Sequence, residues 1–149
     1  MDKKLDKQIN EFNHLCHYIA MSSDYKNLED KYTLLKSLDE NEISIIRIVS
    51  QEDEVIIREI GNILKVPKST LTSIIDRLEK KDFIIRTISK KDRRSYKLEL
   101  TDKGKKAQEE HDEFEYEFYG KIIKSLNTFE EREEFIRLIK QIASNITKL

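Results

Sequence analysis

The chain has 149 residues, of which 38% are hydrophobic and 38% are charged, and it contains only 3 glycines and 1 proline. So few helix-breaking residues indicate a mostly α-helical protein and argue against enzymes built on glycine-rich phosphate loops or nucleophile turns. No apolar run approaches the roughly 20 residues that span a bilayer, the N-terminus lacks a secretory pattern, and the single cysteine cannot form an internal disulfide. We therefore expect a cytoplasmic protein without membrane contact, cofactor or enzymatic activity.

The net charge of −1 hides an uneven distribution of charged residues. Residues 58–106 hold 15 Lys or Arg against 7 Asp or Glu, a balance of +8, whereas both flanks are acidic. A basic segment between acidic ends is typical of a protein that binds nucleic acid with one face. A chance cluster of charges on a solvated surface is the alternative interpretation.

Three helices are predicted in the first part of the chain. Apolar residues recur at three- and four-residue steps over residues 3–24, which predicts a long first helix. After a looser stretch, a capping box of Asp39 and Glu42 begins the second helix. A brief strand is expected at residues 55–56, and residues 57–64 form a short third helix. Its inward-facing residues should be Ile60, Ile63 and Leu64.

A fourth helix and a hairpin follow. Pro67 suits the first position of a helix over residues 68–80, whose apolar stripe is Leu71, Ile74, Ile75 and Leu78. Beyond it the period changes to alternation, which predicts two strands, residues 83–88 and 96–100, around a charged tip. Two long helices begin at Thr101 and at a second capping box, Thr128 to Glu131. Two short helices followed by a hairpin form a winged helix-turn-helix arrangement.

The face of the fourth helix opposite its apolar stripe carries small hydroxyl residues. Such a face can enter the major groove of duplex DNA and bond to phosphates or base edges, and Arg77 could bind a guanine or a phosphate. An ordinary polar surface is the alternative. The predicted DNA-binding residues of this helix are Lys68, Ser69, Thr70, Thr72, Ser73 and Arg77.

The hairpin tip crowds four cations into one turn: Lys90, Lys91, Arg93 and Arg94. Their mutual repulsion would be relieved by a phosphate backbone or by the electronegative minor groove. A charged turn that only keeps the protein soluble is the alternative.

Four segments carry a family resemblance: residues 66–72 (VPKSTLT), residues 76–81 (DRLEKK), Asp92-Arg93-Arg94, and residues 100–104 (LTDKG). Together they resemble the MarR family of bacterial winged helix-turn-helix regulators, over nearly the whole chain. The resemblance implies that the fourth helix enters the major groove and that Arg94, braced by Asp92, reaches the minor groove. The sequence departs from the family at Asp82, where glycine is usual and favours the left-handed helix cap.

The terminal helices suggest a homodimer, because their apolar stripes would be exposed on a single chain. We expect residues 1–38 and 101–149 to form a dimerisation lobe and residues 39–100 a DNA-binding lobe. A two-fold dimer predicts a pseudo-palindromic operator with half-sites about 10 bp apart. The resemblance further implies repression, and release by a small aromatic or amphipathic effector.

Three alternatives concern sensing and partners. Cys16 follows Leu15 as in peroxide-sensing members of the family, although their tyrosine partners are not evident, so it is a candidate redox sensor or a core residue. Zinc-sensing members resemble the chain at His111, but their second-helix ligand falls near Ser44, so no metal site is predicted. A winged-helix module that binds proteins without binding DNA is the remaining alternative.

Overall fold

The computed structural model describes residues 3–22, 27–28 and 30–147. Its two strands, β1 (Ile84–Ile88) and β2 (Tyr96–Leu100), form an antiparallel hairpin. The predicted fold class, mostly α-helical with a small β-hairpin wing, is confirmed. No helix in these ranges is long and apolar enough to cross a membrane. The labelled helices are α1 (Lys3–Ala20), α2 (Thr33–Lys36), α3 (Glu40–Gln51), α4 (Ile57–Leu64), α5 (Lys68–Lys80), α6 (Asp102–Lys124) and α7 (Phe129–Ile146).

Contacts between residues divide the chain into two compact units, Met1–Phe114 and Glu115–Leu149. The first unit contains α1 to α5, the hairpin and the start of α6; the second contains the end of α6 and α7. The expected division by function, with boundaries after residues 38 and 100, remains a prediction.

The core of the first unit is built mainly from α3, α5 and the hairpin. α5 packs against α3 and β1, and all four residues of its predicted stripe are at most 3% exposed. Burying a side chain of this size contributes about 1.5–3 kcal/mol, so this stripe fixes which face of α5 points outward. The fully buried partners of the stripe include Ile45, Ile60, Phe83 and Ile84.

The hairpin pairs Ile84 with Leu100 at its base and Ile88 with Tyr96 at its tip end. The predicted brief strand at residues 55–56 is a single bridge, in which Ile56 pairs with Lys97, and the N–H of Leu98 donates to the carbonyl of Val55 at 3.3 Å. The loop before α4 therefore lies along the outer edge of β2.

Both predicted capping boxes are present. Asp39 Oδ1 accepts from the N–H of Glu42 and Glu42 Oε2 accepts from the N–H of Asp39, both at 2.9 Å. Thr128 and Glu131 exchange the equivalent bonds at 3.1 and 3.2 Å. Each cap satisfies helix N–H groups that lack partners within the helix and contributes about 1 kcal/mol.

Several details of the sequence prediction are wrong. Ile63 was expected to face inward but is 57% exposed, because the short helix α4 turns only Ile60 fully into the core. α1 ends at Ala20 rather than at residue 24, which lies outside the described residues. Pro67 is the residue before α5 rather than its first residue, and β1 begins one residue after Phe83.

Candidate nucleic-acid interface

The outward face of α5 carries the predicted hydroxyl residues. Ser69, Thr70, Thr72 and Ser73 are all exposed, and so is Lys68. The hydroxyl of Thr72 donates to the carbonyl of Lys68 at 2.9 Å. Because the opposite face is buried, α5 presents a row of short polar side chains that allows close approach to a ligand surface.

Arg77 lies on the same helix but has partners inside the lobe. Its Nη2 donates to Asp39 Oδ2 at 2.6 Å and its Nε donates to Glu42 Oε1 at 3.3 Å. The side chain is 48% exposed, whereas that of Glu42 is 1% exposed. Lys81 Nζ also bonds both oxygens of Glu42, at 2.9 and 2.8 Å. The buried carboxylate therefore ties the end of α5 to the beginning of α3.

Asp76, the acidic residue on the outer side of α5, is paired with Arg86 of β1. A second contact joins Arg86 Nη1 to Glu79 Oε2 at 3.4 Å. Since a free carboxylate beside the hydroxyl face would repel an anion, this pairing reduces the negative charge on the helix surface.

The wing tip, residues 89–95, is organised by Glu54, which lies in the loop before α4. One oxygen of its carboxylate, Oε1, accepts from the hydroxyl of Ser89 at 2.6 Å and from the N–H groups of Lys90 and Lys91 at 2.7 and 3.1 Å. Lys91 Nζ donates to the Glu54 carbonyl at 2.9 Å. The Ser89 hydroxyl, then the Lys91 and Lys90 backbone, lower the pKa of Glu54 from 4.5 to about 2.

Asp92 forms hydrogen bonds within the wing tip. Its carboxylate accepts from the hydroxyl of Ser95 at 2.7 Å and from the N–H of Arg94 at 3.0 Å. The pKa of Asp92 is lowered chiefly by the Ser95 hydroxyl, then by the Arg94 backbone, with a further contribution from the charge of Arg58. Asp92 thus supports Arg94 through the main chain.

Three cations of the wing tip remain without an internal partner. The side chains of Lys90, Arg93 and Arg94 are exposed and make no hydrogen bond or ion pair within residues 3–22, 27–28 and 30–147. Nearby charges on β2 are paired, with Lys97 Nζ 2.6 Å from Glu99 Oε1. The tip is therefore an ordered loop with unpaired positive charge.

A groove of about 500 Å³ separates the wing from the helix-turn-helix. Its floor includes Ile57 and Leu71, and its lining includes Arg58 of α4, Lys68 at the beginning of α5, and Tyr96 of β2. The beginning of α5 and the tip end of β2 consequently line the same basic groove.

The remaining sequence candidates lie elsewhere. Cys16 is a free, exposed thiol on α1, and its role as a redox sensor remains a prediction. His111 is half-buried on α6. Its neighbour Glu110 accepts from the N–H groups of Leu34 and Leu35 at 2.9 and 3.1 Å, so this carboxylate caps α2.

The lobe that carries these features, residues 38–96, matches the model of the MarR family. Over this segment the chain is similar to MarR-family regulators. The chain is 35% identical over 86 residues to YpoP, an uncharacterised HTH-type transcriptional regulator of Bacillus subtilis. That match covers 58% of this chain and 61% of YpoP, so the chain spans about three fifths of the curated relatives it matches.

Two solved structures show the same fold. YusO of Bacillus subtilis superposes with a TM-score of 0.74, with 23% identity, over 97% of this chain and 98% of YusO. FabT of Streptococcus pneumoniae, solved in complex with DNA, superposes with a TM-score of 0.64, with 23% identity, over 99% of this chain and 92% of FabT. At this identity the likeness establishes the fold.

Sequence reasoning missed two residues of the MarR-type lobe. Glu42 was recognised as a capping residue, but its burial beneath Arg77 and Lys81 was not foreseen. Glu54 was not singled out at all, since its bonds join residues 35 to 37 positions apart. No local sequence pattern reports contacts of that separation.

Proposed function

We propose that the chain is a transcriptional regulator that binds duplex DNA through α5 and the wing, with no enzymatic activity. The observation that carries this proposal is the wing tip, where Lys90, Arg93 and Arg94 are exposed and form no hydrogen bond or ion pair within the described residues. The end of this tip and the beginning of α5 line one groove. Holding three like charges together is unfavourable in an isolated protein and favourable against a phosphate backbone.

α5 is the recognition helix in this proposal. Ser69, Thr70, Thr72 and Ser73 enter the major groove, and Lys68 contacts a phosphate at its edge. Arg77 contributes differently, because its bonds to Asp39 and Glu42 set the position of α5 against α3. Its removal should weaken binding to all sequences rather than relax the preference for one base.

The wing supplies the second contact. Arg94 and Arg93 reach the minor groove or its flanking phosphates, Lys90 binds the backbone, and Asp92 keeps the turn in shape. Lys91 supports the turn through its bond to the Glu54 carbonyl. Arg94→Ala should weaken DNA binding by about 1–3 kcal/mol without changing the fold.

A homodimer is the functional form that we propose. α1 exposes an apolar stripe that includes Leu5, Ile9, Phe12, Leu15 and Ile19, and α7 exposes Leu138, Ile139, Ile142 and Ile146, all more than two fifths exposed. Contiguous apolar surface of this kind marks an association site. A second copy that covers each stripe would place two DNA-binding lobes about a two-fold axis.

Similarity to MarR-family regulators supports the finer parts of the proposal. DNA binding is carried over from FabT, which was solved in complex with DNA. Repression, cytoplasmic location and release by a small aromatic or amphipathic effector follow from the resemblance to MarR regulators. No part of the described structure identifies the effector.

Selection of bound duplexes from a random DNA pool tests the proposal. We expect enrichment of a pseudo-palindrome whose half-sites lie about one helical turn apart. The matched control is a chain in which Arg93 and Arg94 are both alanine, which should retain the fold and enrich little. A folded parent chain that enriches no sequence would contradict the proposal and favour a winged-helix protein-interaction module.

A further inference from the structure

Glu54 occupies an unexpected position for an acidic residue in a DNA-binding lobe. It lies outside the hairpin, yet its carboxylate is bonded to the first three residues of the wing tip. A negative charge beside phosphate contacts should weaken DNA binding by simple electrostatics. In the structure this carboxylate is bonded to the backbone and to one hydroxyl of the wing tip.

The Glu54 carboxylate bonds to main-chain N–H groups and to one hydroxyl of the wing tip, and not to its cationic side chains. The N–H groups of Lys90 and Lys91 and the Ser89 hydroxyl converge on one carboxylate oxygen, at 2.6–3.1 Å. The Ser89 oxygen in turn accepts from the N–H of Asp92 at 3.1 Å. One side chain thereby fixes the backbone from residue 89 to residue 92.

A charged acceptor strengthens these bonds, because hydrogen bonds to an ionised group are about twice as strong as neutral ones. Lys97 of β2 contributes a further favourable charge to the Glu54 carboxylate. Two N–H groups of the wing tip are bonded to Glu54, whereas the side chains of Lys90, Arg93 and Arg94 are exposed. Without these bonds the hairpin tip would adopt many conformations. DNA binding would then have to order the tip, and the lost conformational entropy would weaken the binding.

We propose that Glu54 is a positioning residue for DNA binding, which holds the wing tip in its binding conformation so that three cations act together. The proposal rests on the proposed function. Electrostatic repulsion alone predicts that removal of this negative charge strengthens DNA binding. The positioning role predicts that the same removal weakens DNA binding.

The test compares the parent chain with Glu54→Gln and with Asp53→Asn, a neighbouring exposed acid whose side chain makes no hydrogen bond or ion pair with the wing tip. Each variant removes one negative charge. Binding to a fluorescent mixed-sequence duplex of about 30 base pairs is measured over a range of salt, and the protection of the Lys90 and Lys91 amides is measured by hydrogen exchange without DNA. Thermal unfolding confirms that each variant is folded.

We expect Glu54→Gln to bind about tenfold or more weakly, and Asp53→Asn to bind as well as the parent or better. Because up to three phosphate contacts are affected, the salt slope of Glu54→Gln should be flatter by about one to three, at roughly 0.9 per phosphate. A general loss of stability would not change this slope in a folded protein. The Lys90 and Lys91 amides should also lose protection.

Equal or tighter binding by Glu54→Gln, with an unchanged salt slope, would overturn the positioning role alone. Absence of binding by the parent chain would overturn the proposed function and the positioning role together, while amide protection would still report whether Glu54 orders the tip. If Glu54→Gln does not fold, Ser89→Ala removes one of the three donors and takes its place, with the same expected outcomes.

Discussion

At Asp82 the chain leaves α5 with φ at 64°, in the left-handed region. The N–H of Asp82 donates to the carbonyl of Glu79 and the N–H of Phe83 donates to that of Leu78, both at 3.0 Å. This is a Schellman motif, in which the left-handed residue allows both bonds to form. Glycine adopts this conformation without strain, whereas aspartate adopts it at a steric cost.

We expect Asp82→Gly to raise the free energy of unfolding by about 0.5–1 kcal/mol, because it removes this cost. Urea denaturation measures the change. Lys80→Gly, two residues earlier within α5, is the matched control and should lower the free energy of unfolding by about 1 kcal/mol. A destabilised Asp82→Gly variant would show that the aspartate side chain contributes more than its backbone conformation costs.

Glu54 makes the stability of the wing dependent on pH. Its pKa is lowered to about 2 in the folded chain, below the usual 4.5. The stabilisation is therefore fully present above pH 4.5 and is lost as the pH falls towards 2. We expect the difference in unfolding free energy between the parent and Glu54→Gln to shrink over that interval. A difference that stays constant down to pH 2 would exclude this linkage.

Among the elements, α3 and α5 are joined by polar as well as apolar contacts. Glu42 is 1% exposed, and its carboxylate receives bonds from Arg77 and Lys81 of the α5 end and from the N–H of Asp39. A buried carboxylate without partners would be strongly destabilising, so the two cations are needed to keep it inside. The packing of these helices therefore depends on a charge cluster at one end.

A double-mutant cycle of Glu42→Gln and Arg77→Ala measures this link between α3 and α5. We expect each change to destabilise the fold by about 1–2 kcal/mol, with a coupling of about 1 kcal/mol, since both cations are partly exposed and can be hydrated. Lys80→Ala, an exposed cation near the end of α5 that makes none of these bonds, serves as the comparison. Additive effects of the two substitutions would show that the pair does not act as a unit.

Sequence patterns predicted the elements well and the tertiary contacts poorly. The α5 stripe, both capping boxes and the hairpin depend on residues close in sequence, so their patterns are visible in the chain itself. Ile63 was misplaced because eight residues of helix leave its buried face ambiguous. The bonds of Glu54 to the wing, and of Arg77 to Asp39, depend on how distant elements pack, which no local period encodes.

At the scale of the whole molecule, α1 and α7 expose apolar faces that the proposed dimer would cover. A chain of 17.8 kDa that remained monomeric would expose these stripes to water. The uneven distribution of charged residues explains why a net charge of −1 can accompany a basic face. Acidic residues lie on the flanks, and the positive charge is concentrated in the central lobe.

We expect sedimentation equilibrium at micromolar concentration to give twice the mass of the chain. Ile9→Glu places a charge within the α1 stripe and should shift the equilibrium towards monomer. Lys7→Glu, on the same helix but outside the stripe, should leave the dimer intact. A parent chain that sediments as a monomer would contradict the proposed homodimer.

The measurement that tests DNA binding most directly is the salt dependence of affinity for the duplex selected from the random pool. If the dimer contacts 6–10 phosphates through α5 and both wings, the slope of log affinity against log salt should be about −5 to −9. Replacement of both Arg93 and Arg94 by alanine should make the slope flatter by several units. A slope near zero, or one that this substitution leaves unchanged, would contradict the proposed DNA interface.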